Sequence, residues 1–231
     1  MTESPAPTLG GDALARLYDW RFPASERPHR DRLWRVLVEC RLQRYVQDHE
    51  AVLDYGAGSG GFINHVRARR RVAVDLSPQL PKEVGTGVEA LVGGVEQLQL
   101  LPAGSFDVVF SSNVLEHLSC RREVLEVLEA FRRLLAPGGR VVLIGPNYRY
   151  AYREYWDFFD HHLALSDRTV AEALAVAGFR VREHEPRFLP FTTKGRPASP
   201  LLLRLFFRLP VVLRRPFCGQ FLLVGTPSDQ G

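Results

Sequence analysis

The chain has 231 residues, 45% of them hydrophobic, with a formal net charge of +4. That is enough apolar sequence to bury the core of one full domain. All but Lys82 and Lys194 of its 30 basic residues are arginine, and they are scattered along the chain rather than gathered beside aromatics, so no nucleic-acid partner is expected. The three cysteines, Cys40, Cys120 and Cys218, are too few and too far apart for a disulfide frame or a cysteine-only zinc site, which points to a reducing compartment.

Residues 1–12, beginning MTESPAPTLGG, are polar and lack the apolar core of a signal peptide, so a disordered start and a cytoplasmic protein are expected. A single domain then spans 13–226, with 227–231 as a tail. Within 13–50, Leu14, Leu17, Tyr18, Trp34, Leu37, Leu42 and Tyr45 recur at helical spacings, which predicts a helical cap against the sheet or over the site.

At 51–62 the chain reads AVLDYGAGSGGF, an apolar run that reaches an acid and then places four glycines within six residues. This predicts a strand turning sharply through a ligand-binding loop into a helix. Gly56, Gly58 and Gly61 satisfy G-x-G-x-x-G, a dinucleotide pattern. Asp54, Gly56, Gly58 and Gly60 satisfy D-x-G-x-G-x-G, an S-adenosylmethionine pattern. A carboxylate two residues before the first glycine opposes the field a pyrophosphate needs, whereas it suits a ligand bearing an ammonium and a sulfonium.

Further apolar runs at 71–75, 106–111 and 140–144 read as buried parallel strands, with a weaker one at 88–92 and two more at 179–185 and 220–225. Helical patterns separate them. The clearest is 121–135, where Val124, Leu128, Phe131 and Leu135 fall on one face before Pro137-Gly138-Gly139; another is 165–177, with Ser166 as N-cap and Gly178 as terminator. Alternating strands and helices predict an α/β fold, a doubly wound, mostly parallel sheet of seven strands with N-terminal helices and an insertion before the last strand.

The D-x-G-x-G-x-G loop, the FDVV strand and the LAPGG turn, within 52–144, resemble those of class I S-adenosylmethionine-dependent methyltransferases, especially the small-molecule branch. The resemblance implies a Rossmann-like methyltransferase fold, S-adenosylmethionine as cofactor and a cofactor-binding core over 51–145. It assigns Asp54, Gly56, Gly58 and Gly60 to the methionine end of the cofactor. Asp75, closing RVAVD, and the adjoining Leu76 fall to the ribose and adenine side, because a carboxylate accepts from two vicinal hydroxyls. Where the family usually has an adenine-binding aspartate, this chain has Gly94; the Val95 backbone and the Glu96 side chain could substitute, and Glu96 reads equally as a solvated helix residue. Ser111 would end the fourth strand beside the cofactor sulfur.

The segment NVLEHL resembles the family's post-strand motif, which makes His117 a candidate general base. Some metal-dependent relatives have E-x-x-E-H here; Asn113 replaces the first glutamate, so no metal is expected. Residues 146–226 should bind the acceptor. Seven aromatics lie between Tyr148 and Phe159, with His161 and His162 following, so His161 is a second candidate base and Asn147, Tyr148, Tyr155 and Trp156 are candidate acceptor contacts. Adjacent histidines diverge by about 100° on a helix and would not chelate one ion together.

The stretch 198–217 is apolar but interrupted by arginines, which predicts either an amphipathic helix buried on the domain or at a dimer contact, or contact with a membrane or lipid. The expected activity is methyl transfer to oxygen of a small molecule, such as a sugar, isoprenoid-linked compound or other secondary metabolite. The alternatives are an NAD-dependent oxidoreductase and a non-catalytic S-adenosylmethionine-binding or membrane-associated module.

Overall fold

The computed structural model describes residues 13, 16, 17, 20, 21, 23–191 and 199–228. The start expected to be disordered (1–12), residues 192–198 and the last three of the tail lie outside the described residues. Helix α1 (Arg27–Leu37) continues through a wide π turn, Val38–Leu42, and a 3-10 turn, Gln43–Tyr45. Strands β1 (Ala51–Tyr55), β2 (Arg70–Asp75), β3 (Val88–Val92), β4 (Phe106–Ser112) and β5 (Leu135–Pro146) follow. Short helices α2 (Leu80–Glu83) and α3 (Val95–Leu100) and the long α4 (Arg121–Leu134) connect them. Beyond β5 come α5 (Tyr148–Ala151), α6 (Asp167–Val176), β6 (Phe179–Leu189), α7 (Pro200–Arg208), α8 (Val211–Arg214) and β7 (Gln220–Pro227).

The seven strands form one sheet in the order β3-β2-β1-β4-β5-β7-β6. The first five run parallel, and β7 is antiparallel to both neighbours. Period-2 alternation explains why both faces are covered. Along β1, Leu53 and Tyr55 point to a core shared with Phe131 and Leu174, while Val52 points to another shared with Leu42, Ile63 and Phe110. Chain order reverses between β1 and β4, so the crevice where open α/β sheets bind ligands lies beyond the carboxyl ends of those two strands.

Two expectations need correcting. The glycine loop does not enter a regular helix; residues 56–65 form successive turns, with Asn64 N–H donating to Gly60 C=O at 3.0 Å and Val66 N–H to Phe62 C=O at 3.0 Å. Three residues of that loop, Gly56, Gly58 and Gly60, have positive φ, which a right-handed helix cannot incorporate. Strand β5 also begins earlier than predicted, because Leu135 pairs with Phe106 ahead of a register shift that absorbs Pro137-Gly138-Gly139.

Helix α6 starts where the sequence placed its cap. Ser166 Oγ accepts from Thr169 N–H at 3.2 Å, and Thr169 Oγ1 accepts from Ser166 N–H at 2.8 Å. Ser166→Ala should remove about 1 kcal/mol and lower the Tm by about 2–4 °C in calorimetry; an unchanged Tm would show that this cap contributes nothing.

Candidate active site

Two buried carboxylates stand side by side at the carboxyl ends of β1 and β2. Asp54 is 2% exposed and accepts a hydrogen bond from the Ile63 backbone, which folds the glycine turns back over the strand tip. Burial, and next the charge of Asp75, push its carboxyl well above the usual range. Asp75 accepts from Gly58 N–H at 2.7 Å and Ser77 N–H at 2.8 Å, so it joins the glycine loop to the loop after β2. Burial raises its pKa as well, opposed by those two bonds.

The glycine loop is held to this path at both edges. A Cβ on Gly56 would lie 2.1 Å from Val114 Cγ2, and its φ of +75° disfavours any other residue. A Cβ on Gly58 would meet nothing within 4 Å, so space opens directly beside the N–H that faces Asp75. Trp34 of α1 lies against Gly61, and His65 meets Asp31 of the same helix at 2.7 Å, which places the N-terminal cap on the loop.

The second half of the site is built from two distant segments. After β4, Asn113 adopts φ +55°, a left-handed conformation that asparagine tolerates, and turns the chain into the 3-10 turn Leu115–His117. The Glu116 carbonyl accepts from His162 N–H at 2.9 Å and Leu163 N–H at 3.2 Å, while His117 Nδ1 lies 2.9 Å from the Asp160 carbonyl. A carbonyl only accepts, so Nδ1 carries a proton, and the tautomer this selects has its lone pair on Nε2. Asp160 is fixed in turn by a bidentate pair with Arg21, whose guanidinium also stacks over Phe158.

His161 lies with its ring centre 4.9 Å from that of His117 and stacks on Phe158 at 14°. Burial, and next the charge of His117, hold its pKa down to about 4, and its buried Nδ1 has no hydrogen-bond partner. Beside it, burial raises the pKa of Glu116, which is 2% exposed. Glu116, His117 and His161 each offer a donor atom within 4.8 Å of the others. The expectation of no metal considered only NVLEHL and the adjacent histidines; a third donor arrives from 44 residues further along the chain.

A family model described as a methyltransferase domain matches residues 25–184. The chain belongs to this family. It is a class I S-adenosylmethionine-dependent methyltransferase. Over 102 residues it is 37% identical to the ubiquinone biosynthesis O-methyltransferase of Xanthomonas axonopodis pv. citri, a match covering 40% of this chain and 41% of that relative's length. Among solved structures, the Haloferax volcanii complex of the Trm112 methyltransferase activator with its methyltransferase gives a TM-score of 0.65 at 21% identity, covering 92% of this chain and 98% of the other. A S-adenosylmethionine-dependent methyltransferase from Archaeoglobus fulgidus gives 0.61 at 21% identity, covering 91% and 98%. At such identities these two likenesses establish the fold.

In this methyltransferase the residues singled out for the cofactor, Asp54, Gly56, Gly58, Gly60, Asp75 and Leu76, gather at the β1 and β2 tips. Leu76 is 56% exposed, an apolar side chain left uncovered beside Gly94. Val95 opens α3, and Glu96 accepts from Gly94 N–H at 2.6 Å, so it caps its own helix. Ser111 donates to the Tyr55 carbonyl at 2.9 Å and ties β4 to β1.

The candidate acceptor contacts divide differently. Asn147 is fully buried, its Nδ2 donating to Asp167 Oδ1 at 2.8 Å and to the Pro186 carbonyl at 2.9 Å. Tyr155 is equally buried; its hydroxyl donates to the Leu163 carbonyl and accepts from Leu165 N–H. The polar groups of both are taken up by the fold, which corrects their assignment to the acceptor. Tyr148 and Trp156 pack edge-on, and Trp156 remains half exposed. Arg21 and Phe191 complete the site without any sequence signal, because each meets its partners only through the tertiary fold, whereas Trp34 belongs to the helical spacing that predicted a cap against the sheet or over the site.

A cavity of about 910 Å³ lies elsewhere, around Arg132, Arg133, Gly138 and Arg180. It sits at the amino-terminal edge of the parallel strands, opposite the crevice that the topology assigns to ligands.

The raised pKa of Asp54 fixes the sign of a stability prediction. A carboxyl that holds its proton more tightly when folded stabilises the protein below its unfolded pKa, near 4, and loses that contribution as pH rises through the folded value. Asp54→Asn, which can still accept from Ile63 N–H, should therefore raise the ligand-free Tm by about 2–4 °C at pH 8. The gain should shrink towards pH 4; a pH-independent difference would remove this account.

Proposed function

We propose that the enzyme transfers a methyl group from S-adenosylmethionine to a phenolic oxygen of a small molecule, with His117 as general base. The observation that carries this reading is the His117 tautomer. Nδ1 is committed to the Asp160 carbonyl, which leaves the Nε2 lone pair able to take the acceptor's hydroxyl proton. A phenol, with a pKa near 10, lies within reach of an imidazole, whereas an aliphatic alcohol is far less acidic. The aromatic wall of Tyr148, Trp156 and Phe158 suits such a ring, and the relative's name, an O-methyltransferase of ubiquinone biosynthesis, agrees with an oxygen acceptor.

The residues at the strand tips fit the cofactor. Bound S-adenosylmethionine supplies an electrophilic methyl group on a sulfonium. Asp75, with both oxygens already oriented by peptide N–H groups, would accept from the ribose hydroxyls, and the open space at Gly58 admits the ligand close to the backbone. Asp54 supplies negative charge towards the methionine end, Leu76 an apolar face for adenine, and Val95, Glu96 and Ser111 line the remaining edge. His161, neutral across physiological pH, is a poor proton acceptor, and its part is to pack against His117 and the acceptor wall.

A second reading rests on the donors of Glu116, His117 and His161. A divalent ion there would make His117 a ligand rather than a base.

Asp75→Ala should abolish the rise in Tm that S-adenosylhomocysteine gives the wild-type protein, because a ligand stabilises only what it binds. A retained rise would free Asp75 from the cofactor. His117→Ala should keep that rise and lose about 10²–10⁴-fold in turnover of a phenolic acceptor. Chelation should leave wild-type turnover unchanged; loss on chelation, with recovery on adding one divalent ion, would replace the base with the metal reading.

A further inference from the structure

Helices α7 and α8, inserted between β6 and β7, leave an apolar face outward. On α7, Leu203 and Phe207 point inward and pack on the core behind α1, as an amphipathic helix should. The opposite side is apolar too. Leu201, Leu205 and Leu209 are exposed, and the surface continues through Val212, Leu213 and Phe217. Of the 16 large apolar side chains exposed among the described residues, eight fall within 201–217, which concentrates them in one segment of the chain rather than scattering them.

The segment that carries this patch brings only positive charge of its own, and the carboxylates that meet it, Glu39 on Arg204 and Glu185 beneath, come from other elements. No acidic residue occurs from Pro186 to Ser228. Arg208 and Arg215 are exposed at its margins. Beneath it, Arg214 is 4% exposed and stacks over Phe206 and Phe207. Its nearest carboxylate, Glu185 at 3.8 Å, already binds Arg41 at 2.7 Å, and Arg214 Nε and Nη1 have no partner. Two guanidinium groups thus share one carboxylate under an apolar surface, and positive charge is left over.

We propose that the outer face of α7 and α8 docks the enzyme on an anionic lipid bilayer. Leu201, Leu205, Val212 and Phe217 enter the boundary between headgroups and acyl chains, and Arg208 and Arg215 lie among the phosphates. Helix α7 has nine residues, and no described helix is long and apolar enough to cross a membrane, so the contact is peripheral. The face is rooted beside the acceptor wall: Gly219 donates to the Leu189 carbonyl at 2.8 Å, and Asn147 N–H donates to the Gly219 carbonyl at 2.7 Å. Docking therefore brings the catalytic crevice to a lipid surface, which extends the proposed reaction to acceptors that carry a lipid tail.

Flotation of the full chain with phosphatidylcholine vesicles, and with vesicles of phosphatidylcholine and phosphatidylglycerol, tests this. The protein should float with the anionic vesicles, bind more weakly as salt rises, and lose about tenfold in affinity in Leu205→Glu/Val212→Glu. That variant should keep the wild-type thermal response to S-adenosylhomocysteine, which shows that it is folded. Absence from both vesicle types, or undiminished binding by the variant, would overturn the proposal. So would a concentration-dependent dimer in sedimentation, lost in the variant and accompanied by no flotation, which would give the face to a second copy of the chain.

Discussion

Everything at the catalytic end of this enzyme depends on two acidic side chains being held out of water close to one another. Asp54 is the penultimate residue of β1 and Asp75 the last of β2, with Asp54 in register with Ala73, so both carboxylates start from one face of the sheet and their backbone separation is set by it. Each is buried, and each carries a raised pKa chiefly for that reason. Such an arrangement costs stability in the ligand-free protein and is sustained by the rest of the domain. The same cost makes the site selective. A ligand bearing positive charge relieves the repulsion, whereas a pyrophosphate would add to it, and this is the physical ground on which S-adenosylmethionine is favoured over NAD.

The loop geometry follows from that constraint. Gly58 must present its N–H to Asp75, and Ile63 must present its own to Asp54, so the chain folds back through turns with positive φ instead of starting a helix. The N-terminal cap then closes over the turns through Trp34 and Asp31. On the other side of the crevice, the hydrogen bonds between Glu116–His117 and Asp160–Leu163 do the same for the acceptor end, giving His117 one tautomer and burying His161 beside it. The two halves meet where β1 and β4 diverge.

How legible each half was in the sequence reflects how local its determinants are. The β1 tip, its glycines and the acid ending β2 lie on consecutive elements, where residue type and spacing encode the turn directly; the order of strands and helices could be read the same way. Glu96 is ambiguous in sequence because a carboxylate two residues after a glycine can serve its own helix or a ligand, and only the folded chain shows it accepting from Gly94 N–H. The acceptor half was less legible. Asn147 and Tyr155 look like binding residues by type, yet their hydrogen bonds run to Asp167, Pro186, Leu163 and Leu165, contacts that no spacing rule announces. Arg21 reaches Asp160 across 139 residues, and that pair holds the carbonyl that orients His117. The donor cluster escaped for the same reason: NVLEHL shows two of its members, and the third comes from beyond β5.

If the buried carboxylates bind the cofactor through its positive charge, binding must be linked to their protonation. Titration calorimetry of the full chain with S-adenosylmethionine, repeated near pH 6 in two buffers of different ionisation enthalpy, tests it most directly. A cation bound beside Asp54 lowers a pKa that burial holds well above its usual value, so proton release should make the observed heat depend on the buffer, and the dependence should fall sharply in Asp54→Asn. Binding with no proton release in the wild-type protein would contradict the account.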